Sequence, residues 1–125
     1  MLLIDPATCL AVAIYFESRS ELAVNQIKVA EVIMNRVESK SYPSTICEVV
    51  KQSKQFSFLN GEPELSIDKK SDAWKMAKHL TSIAIQNGGK SVAACHYAHT
   101  DVDNSWTREL NGKQHGAHIF YKGGC

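Results

Sequence analysis

A chain of 125 residues, 44% of them hydrophobic, carries enough apolar side chain for one compact domain with a single core, and too much for a disordered segment. Its formal net charge of +1 supplies no strongly basic face for a nucleic acid, and no apolar run reaches the length that crosses a bilayer. The start, Met1-Leu2-Leu3-Ile4-Asp5-Pro6, has neither a basic n-region nor a full h-region, so it does not read as a signal peptide and the expectation is synthesis in the cytoplasm.

The first element is a helix. Asp5 is suited to the N-cap and Pro6 to the first helical position, and Ala7, Leu10, Ala11 and Ile14 recur at i, i+3, i+4 and i+7 as one apolar stripe. The next position on that stripe is Glu17, beside Tyr15 and Phe16. A carboxyl placed where an apolar residue is due is desolvated, which disfavours its charged form and raises its pKa, the property a general acid needs near neutral pH. The alternative is a Glu at a helix end that turns to solvent or pairs with Arg19 or Arg36. Ser20 is a candidate cap for a second helix, and Asn25 a candidate for the left-handed region if the chain turns there. Ile27, Ala30, Met34 and Val37, widened by Val29, Val32 and Ile33, predict a largely buried helix ending near Glu38, where Arg36 suits the helix dipole.

Ser39 to Pro43 reads as a loop, and Ser44 as the cap of a short helix running to about Lys51. Gln52 to Pro63 reads as irregular or as a two-strand hairpin turning at Asn60-Gly61. Ser66 or Asp68 opens the longest helix, with Ala73, Met76, Ala77, Leu80, Ile83 and Ala84 on one face and Asn87-Gly88-Gly89 at its end. Val92 to Tyr97 and Gly116 to Tyr121 are short apolar runs fit for strands or packed coil. The lysines between Lys51 and Lys78 read as a solvated face. Repeats and linkers are absent, so the whole of 1–125 reads as one domain.

Cys9, Cys47, Cys95 and Cys125 match no zinc-ribbon or CxxC spacing and read mainly as small buried hydrophobes. Cys9 and Cys47 are expected close together, with a bridge between them the minority outcome for a protein made in the cytoplasm. His96 with His99, and His115 with His118, form two HxxH pairs. Helical zinc pairs use i, i+4 spacing, so the expectation is no metal and no other cofactor. A nucleophile elbow is also lacking. Tyr15, Gln55, Phe56, Tyr97 and Trp106 combine rings and an amide of the kind that line a sugar-polymer groove, although aromatics are core residues first.

In order along the chain, Cys9-Leu10-Ala11, Ile14-Tyr15-Phe16-Glu17-Ser18-Arg19-Ser20-Glu21, Gln26, Val32-Ile33-Met34-Asn35-Arg36-Val37, Tyr42-Pro43-Ser44-Thr45-Ile46-Cys47, Gln55-Phe56-Ser57-Phe58, His96-Tyr97, Trp106 and His118-Ile119-Phe120-Tyr121 resemble the SleB/CwlJ-type cell wall hydrolases. The resemblance implies a mainly α (α+β), lysozyme-like single domain with a small irregular or β-hairpin region. It implies cleavage of the MurNAc-GlcNAc β-1,4 bond of peptidoglycan as a lytic transglycosylase giving 1,6-anhydromuropeptides, with Glu17 catalytic and Tyr15, Gln55, Ser57, His96 and Tyr97 binding substrate. The alternatives are a hydrolytic muramidase with a second carboxylate, or a non-catalytic peptidoglycan- or zinc-binding module. The partner implied is the peptidoglycan glycan strand, met by a monomer in the periplasm after holin-type release of a phage endolysin.

Four positions depart from the family's opening: Ser18 replaces the usual Ala, Ser20 the usual Gly, Leu22 a common Pro and Asn25 a common Gly. They bear on the backbone path after Glu17, not on the identity of the acid.

Overall fold

The computed structural model describes residues 5–52, 67–87, 94–99, 112–115 and 118–122. Among these the chain runs α1 (Pro6–Ser18), α2 (Ala23–Glu38), α3 (Ile46–Gln52), α4 (Asp72–Asn87), β1 (Ala94–His99), β2 (Gly112–His115) and β3 (His118–Lys122). The fold is mainly helical, with a small sheet in its last third. The hairpin expected within Gln52 to Pro63 falls almost wholly outside the described residues; only Gln52, the last residue of α3, lies inside.

Helix α1 starts as its sequence predicts. The Asp5 side chain accepts from the Thr8 backbone N–H at 2.8 Å and from the Thr8 hydroxyl at 2.7 Å, with Pro6 opening the helix. The single stripe, however, understates its burial. Cys9 through Tyr15 are buried without a break, while Ala7 is exposed. A helix apolar on every side belongs inside the protein, and α1 is packed by α2, α3 and α4 together.

The second helix is capped at Leu22, not Ser20, and without a side-chain bond. Asn25 lies inside its first turn, so no left-handed residue is needed there. Leu22 takes φ −62°, the angle a proline ring imposes, so the backbone at this point is compatible with the proline common there in the family. The buried hydrophobic residues of α2 are Val29, Ala30, Val32 and Ile33, with Ile27, Met34 and Val37 only partly buried around them. Arg36 does more than complement the helix dipole: it is buried, with its guanidinium 5.1 Å from the centre of the Tyr42 ring.

The third helix is capped one residue later than expected, by Thr45, whose hydroxyl accepts from the Glu48 N–H at 3.2 Å. Helix α4 also begins later than Ser66 or Asp68. Asp68 is spent on a turn, accepting from the Lys70 N–H, and Ser71 caps the helix by accepting from the Trp74 N–H at 3.1 Å. The buried face of α4 is Trp74, Ala77, Leu80, Thr81 and Ala84. Met76, one turn off this face, is exposed. Lys51, Lys69, Lys70, Lys75 and Lys78 are solvated.

The two apolar runs near the C-terminus contain strands. β1 pairs antiparallel with β3, and β3 with β2, giving the order β1-β3-β2. β2 and β3 are consecutive in sequence, separated by residues 116 and 117. The register of β1 against β3 shifts between Ala94 and His96. β1 is in contact with α2, which seats the sheet against the helical body.

Cys9 and Cys47 are joined in a disulfide with Cα atoms 5.3 Å apart. Their proximity agrees with expectation. The bond itself is the outcome given as the minority one for a protein made in the cytoplasm. It closes a loop across a sequence separation of 38 and fastens α3 to the central helix. On the chain-entropy model such a crosslink is worth about 4 kcal/mol. Urea melts with and without reductant should therefore differ by an amount of this order, and equal midpoints would show that the unfolded chain gains nothing from the crosslink.

The Asp5 carboxyl is held below its ordinary value, first by the Thr8 backbone N–H and then by the Thr8 hydroxyl. A depressed carboxylate stabilises the fold above its unfolded pKa and loses that contribution as pH falls through the folded value. Asp5→Ala should thus lower Tm at neutral pH, with the gap to the parent closing in acid. A gap that stays constant into acid would assign the effect to something other than the ionised cap.

Candidate active site

Glu17 is the penultimate residue of α1 and is half-buried. It lies two residues after the enclosed run that ends at Tyr15, near the point where the helix leaves the core. The next residue, Ser18, is buried and its hydroxyl donates to the Ile14 carbonyl at 2.9 Å. A hydroxyl that bonds back one turn satisfies itself locally, so Ser is accepted in a position suited to Ala. Arg19 then ends the helix, its N–H donating to the Tyr15 carbonyl. Glu17 and Glu21 do not share a helix, because α1 stops between them.

The aromatic residues around Glu17 are tied to one another. The Tyr15 ring meets Phe16 edge-on at 5.2 Å and Trp74 edge-on at 6.0 Å. The Arg19 guanidinium lies 4.9 Å from the Tyr15 ring centre and 5.8 Å from that of Phe16. With 8% of its surface exposed and its ring occupied by protein, Tyr15 has no open face for a pyranose. Its evident work is to hold α1 against the start of α4. Trp74 was not singled out by sequence, since it sits beside, not on, the predicted α4 stripe; its ring size next to a helix start was the available signal.

The connection from α1 to α2 is short and bonded throughout. The Glu21 N–H donates to the Ser18 carbonyl at 2.9 Å, and the buried Gln26 reaches back from α2 so that its Nε2 donates to the Glu21 carbonyl at 2.9 Å. Sequence reading placed Gln26 in a motif but gave it no task.

Of the other sequence candidates, Gln55 and Ser57 lie outside the described residues, as do Phe56 and Trp106. His96 and Tyr97 are on β1, opposite Tyr121 and Phe120 of β3. Their side chains are outside the described set, as are those of His99, His115, His118 and Cys95. Among the described residues no group of three or more His, Cys, Asp or Glu side chains is placed to hold a metal ion. A cleft of about 150 Å³ opens between α1 and α4, lined by Ala7, Thr8, Trp74, Lys78 and Thr81 among others. It reaches the opposite end of α1: Ala7 and Glu17 are ten residues apart, about 15 Å of helix. Glu17 is not among the residues that line the cleft.

The chain matches the cell wall hydrolase family over residues 20–121, a stretch that begins three residues after Glu17. It is 34% identical over 117 residues to a spore cortex-lytic enzyme of Bacillus cereus and 33% identical to one of Oceanobacillus iheyensis, covering 90% of this chain each time. It spans about two fifths of the length of these relatives. Among solved structures it is similar to the catalytic domain of the germination-specific lytic transglycosylase SleB from Bacillus anthracis, with a TM-score of 0.76 and 31% identity over 94% of this chain and 93% of that one. It is similar also to the catalytic domain of Bacillus cereus SleB, with a TM-score of 0.77, 31% identity, and coverage of 94% and 89%. With most of its length in the match and its fold that of the SleB catalytic domain, this chain belongs to the cell wall hydrolase family.

Proposed function

We propose that this domain cleaves the MurNAc-GlcNAc β-1,4 bond of peptidoglycan as a lytic transglycosylase, with Glu17 as the single acid and base. The observation that supports it most is the position of Glu17, half-buried at the mouth of an enclosed helix, in a chain whose fold is that of a lytic transglycosylase domain. In this reaction the Glu17 carboxyl gives its proton to the oxygen that leaves with GlcNAc. The resulting carboxylate takes the proton of the muramic C6 hydroxyl as that oxygen bonds to C1. Atoms balance without water, metal or cofactor. The C6 hydroxyl is tethered to the reacting sugar, so its attack gains from proximity. Gln55, Ser57, His96 and Tyr97 are the proposed contacts to the glycan, and the enzyme works as a monomer.

The site of action proposed is the wall, outside the cytoplasm, reached by the holin-type release of an endolysin. The Cys9–Cys47 disulfide supports an oxidising destination, since such bonds persist outside the reducing cytoplasm.

Glu17→Gln should remove lysis of a peptidoglycan suspension by on the order of a hundredfold or more while leaving the far-UV spectrum intact, as expected for loss of a proton donor. Retention of more than about a tenth of the rate would be far outside that expectation and would take the acid's role from Glu17.

Digestion in heavy-oxygen water reads the product directly. Anhydromuramoyl ends without the label are expected. Label at most new reducing ends would mean hydrolysis and a second carboxylate. Of the candidates, Glu21 and Glu31 are at least half-buried, Glu38 is exposed, and Glu62 and Glu64 are outside the described residues.

A further inference from the structure

Gln26 is 4% exposed, on the first turn of α2. Its Nε2 donates to the Glu21 carbonyl, and its Oε1 is buried with no hydrogen-bond partner among the described residues. The carbonyl partner fixes which end of the amide is nitrogen, because the reverse orientation would set oxygen against oxygen. A buried acceptor left without a partner costs stability. A methionine of similar length would fill the same space without that cost. The half of the side chain with a partner among the described residues is its donor, which a methionine would lack.

That donor acts on the segment that follows Glu17. Four residues separate α1 from α2, and the last carbonyls of α1, up to Ser18, are the ones its end leaves without intrahelical partners. Ser18 receives the Glu21 N–H, and Leu22 receives the N–H groups of Asn25 and Gln26. Glu21 receives the Gln26 side chain. Gln26 thus ties the start of α2 to the middle of the connection, and its neighbour bond, Glu21 to Ser18, ends on the residue next to Glu17. We infer that Gln26 is a positioning residue for the reaction: its amide clamps the Ser18–Leu22 connection and so fixes where the last turn of α1 holds the Glu17 carboxyl. The inference rests on the proposal that Glu17 is the acid.

The test uses Gln26→Met, which keeps bulk and loses the donor, and Gln26→Asn, which keeps the amide but is one methylene too short to reach. Each is measured for Tm, for hydrogen exchange at the Glu21 amide, and for kcat and KM on soluble glycan strands, beside Glu17→Gln. Expected are a Tm near that of the parent, faster exchange at Glu21, and a kcat lowered about tenfold, within what a misplacement of the reacting group can cost, at a KM unchanged within about twofold. A purely structural role would move Tm and leave kcat of the folded protein alone. Parental kcat in either folded variant, or unchanged exchange at Glu21 in both, overturns the inference. If Gln26→Met does not fold, Gln26→Asn decides. If Glu17→Gln is active, the acid assignment itself has failed; if it is inactive while both Gln26 variants keep parental kcat, only the clamp has failed.

Discussion

Helix α1 is apolar around its whole circumference from Cys9 to Tyr15, and water cannot be allowed on any side of it. Three other helices are arranged to meet that demand. Val29, Val32 and Ile33 close one side from α2, Val49 and Val50 another from α3, and Trp74, Ala77 and Leu80 a third from α4. Leu10, Val12 and Ile14 are fully buried, and truncating any one of them would cost about 2–5 kcal/mol. Against a typical net stability of about 5–15 kcal/mol, the enclosure of this one helix decides whether the domain exists. The disulfide adds to it by binding the shortest of the four helices, the seven residues of α3, to Cys9 at the start of the enclosed run.

The same constraint makes a site. Continuous enclosure stops at Tyr15, and before Ser18 is buried again two residues meet partial solvent, Phe16 and Glu17. Its place relative to the substrate is then set by how rigidly the end of α1 is held. Ser18 bonded back to Ile14, the Tyr15 ring wedged between Phe16 and Trp74, and Arg19 lying over both Tyr15 and Phe16 all act on this last turn. None of them needs to touch a sugar to matter.

Much of this was legible in the residues. Asp5-Pro6 marked the start of α1 because a cap and a fixed φ are local chemistry. The end of α2 near Glu38 was legible for a similar reason, as a long periodic run gives out there. The caps at Leu22, Thr45 and Ser71 were each displaced from the residues that sequence favoured. Ser, Thr and Asp are frequent near helix starts, and which one is used depends on where the helix must begin to pack. Asp68 shows this well: its side chain is drawn into a turn with Lys70, and the cap passes to Ser71. The stripe on α1 was read as one face because four apolar positions fit a helical period. Cys9, Val12 and Ala13 between them were the sign that no face was solvated. The disulfide was judged by compartment instead of by geometry, and the geometry could not be read before α1 and α3 were placed together.

The half-exposure of Glu17 follows from two requirements that pull against each other. A general acid gains from desolvation, which keeps its proton on near neutral pH. A base that receives a proton from a polymer too large to enter a cavity must remain open to solvent on one side. One helix position further in, at Ile14, a carboxyl would be wholly enclosed and unreachable; at Glu21, it would sit beyond the helix on the connection. Only where α1 crosses from the core to the surface are shelter and access available to one side chain. The family's opening motif therefore straddles the end of this helix: its apolar half secures the enclosure, and its polar half shapes the exit.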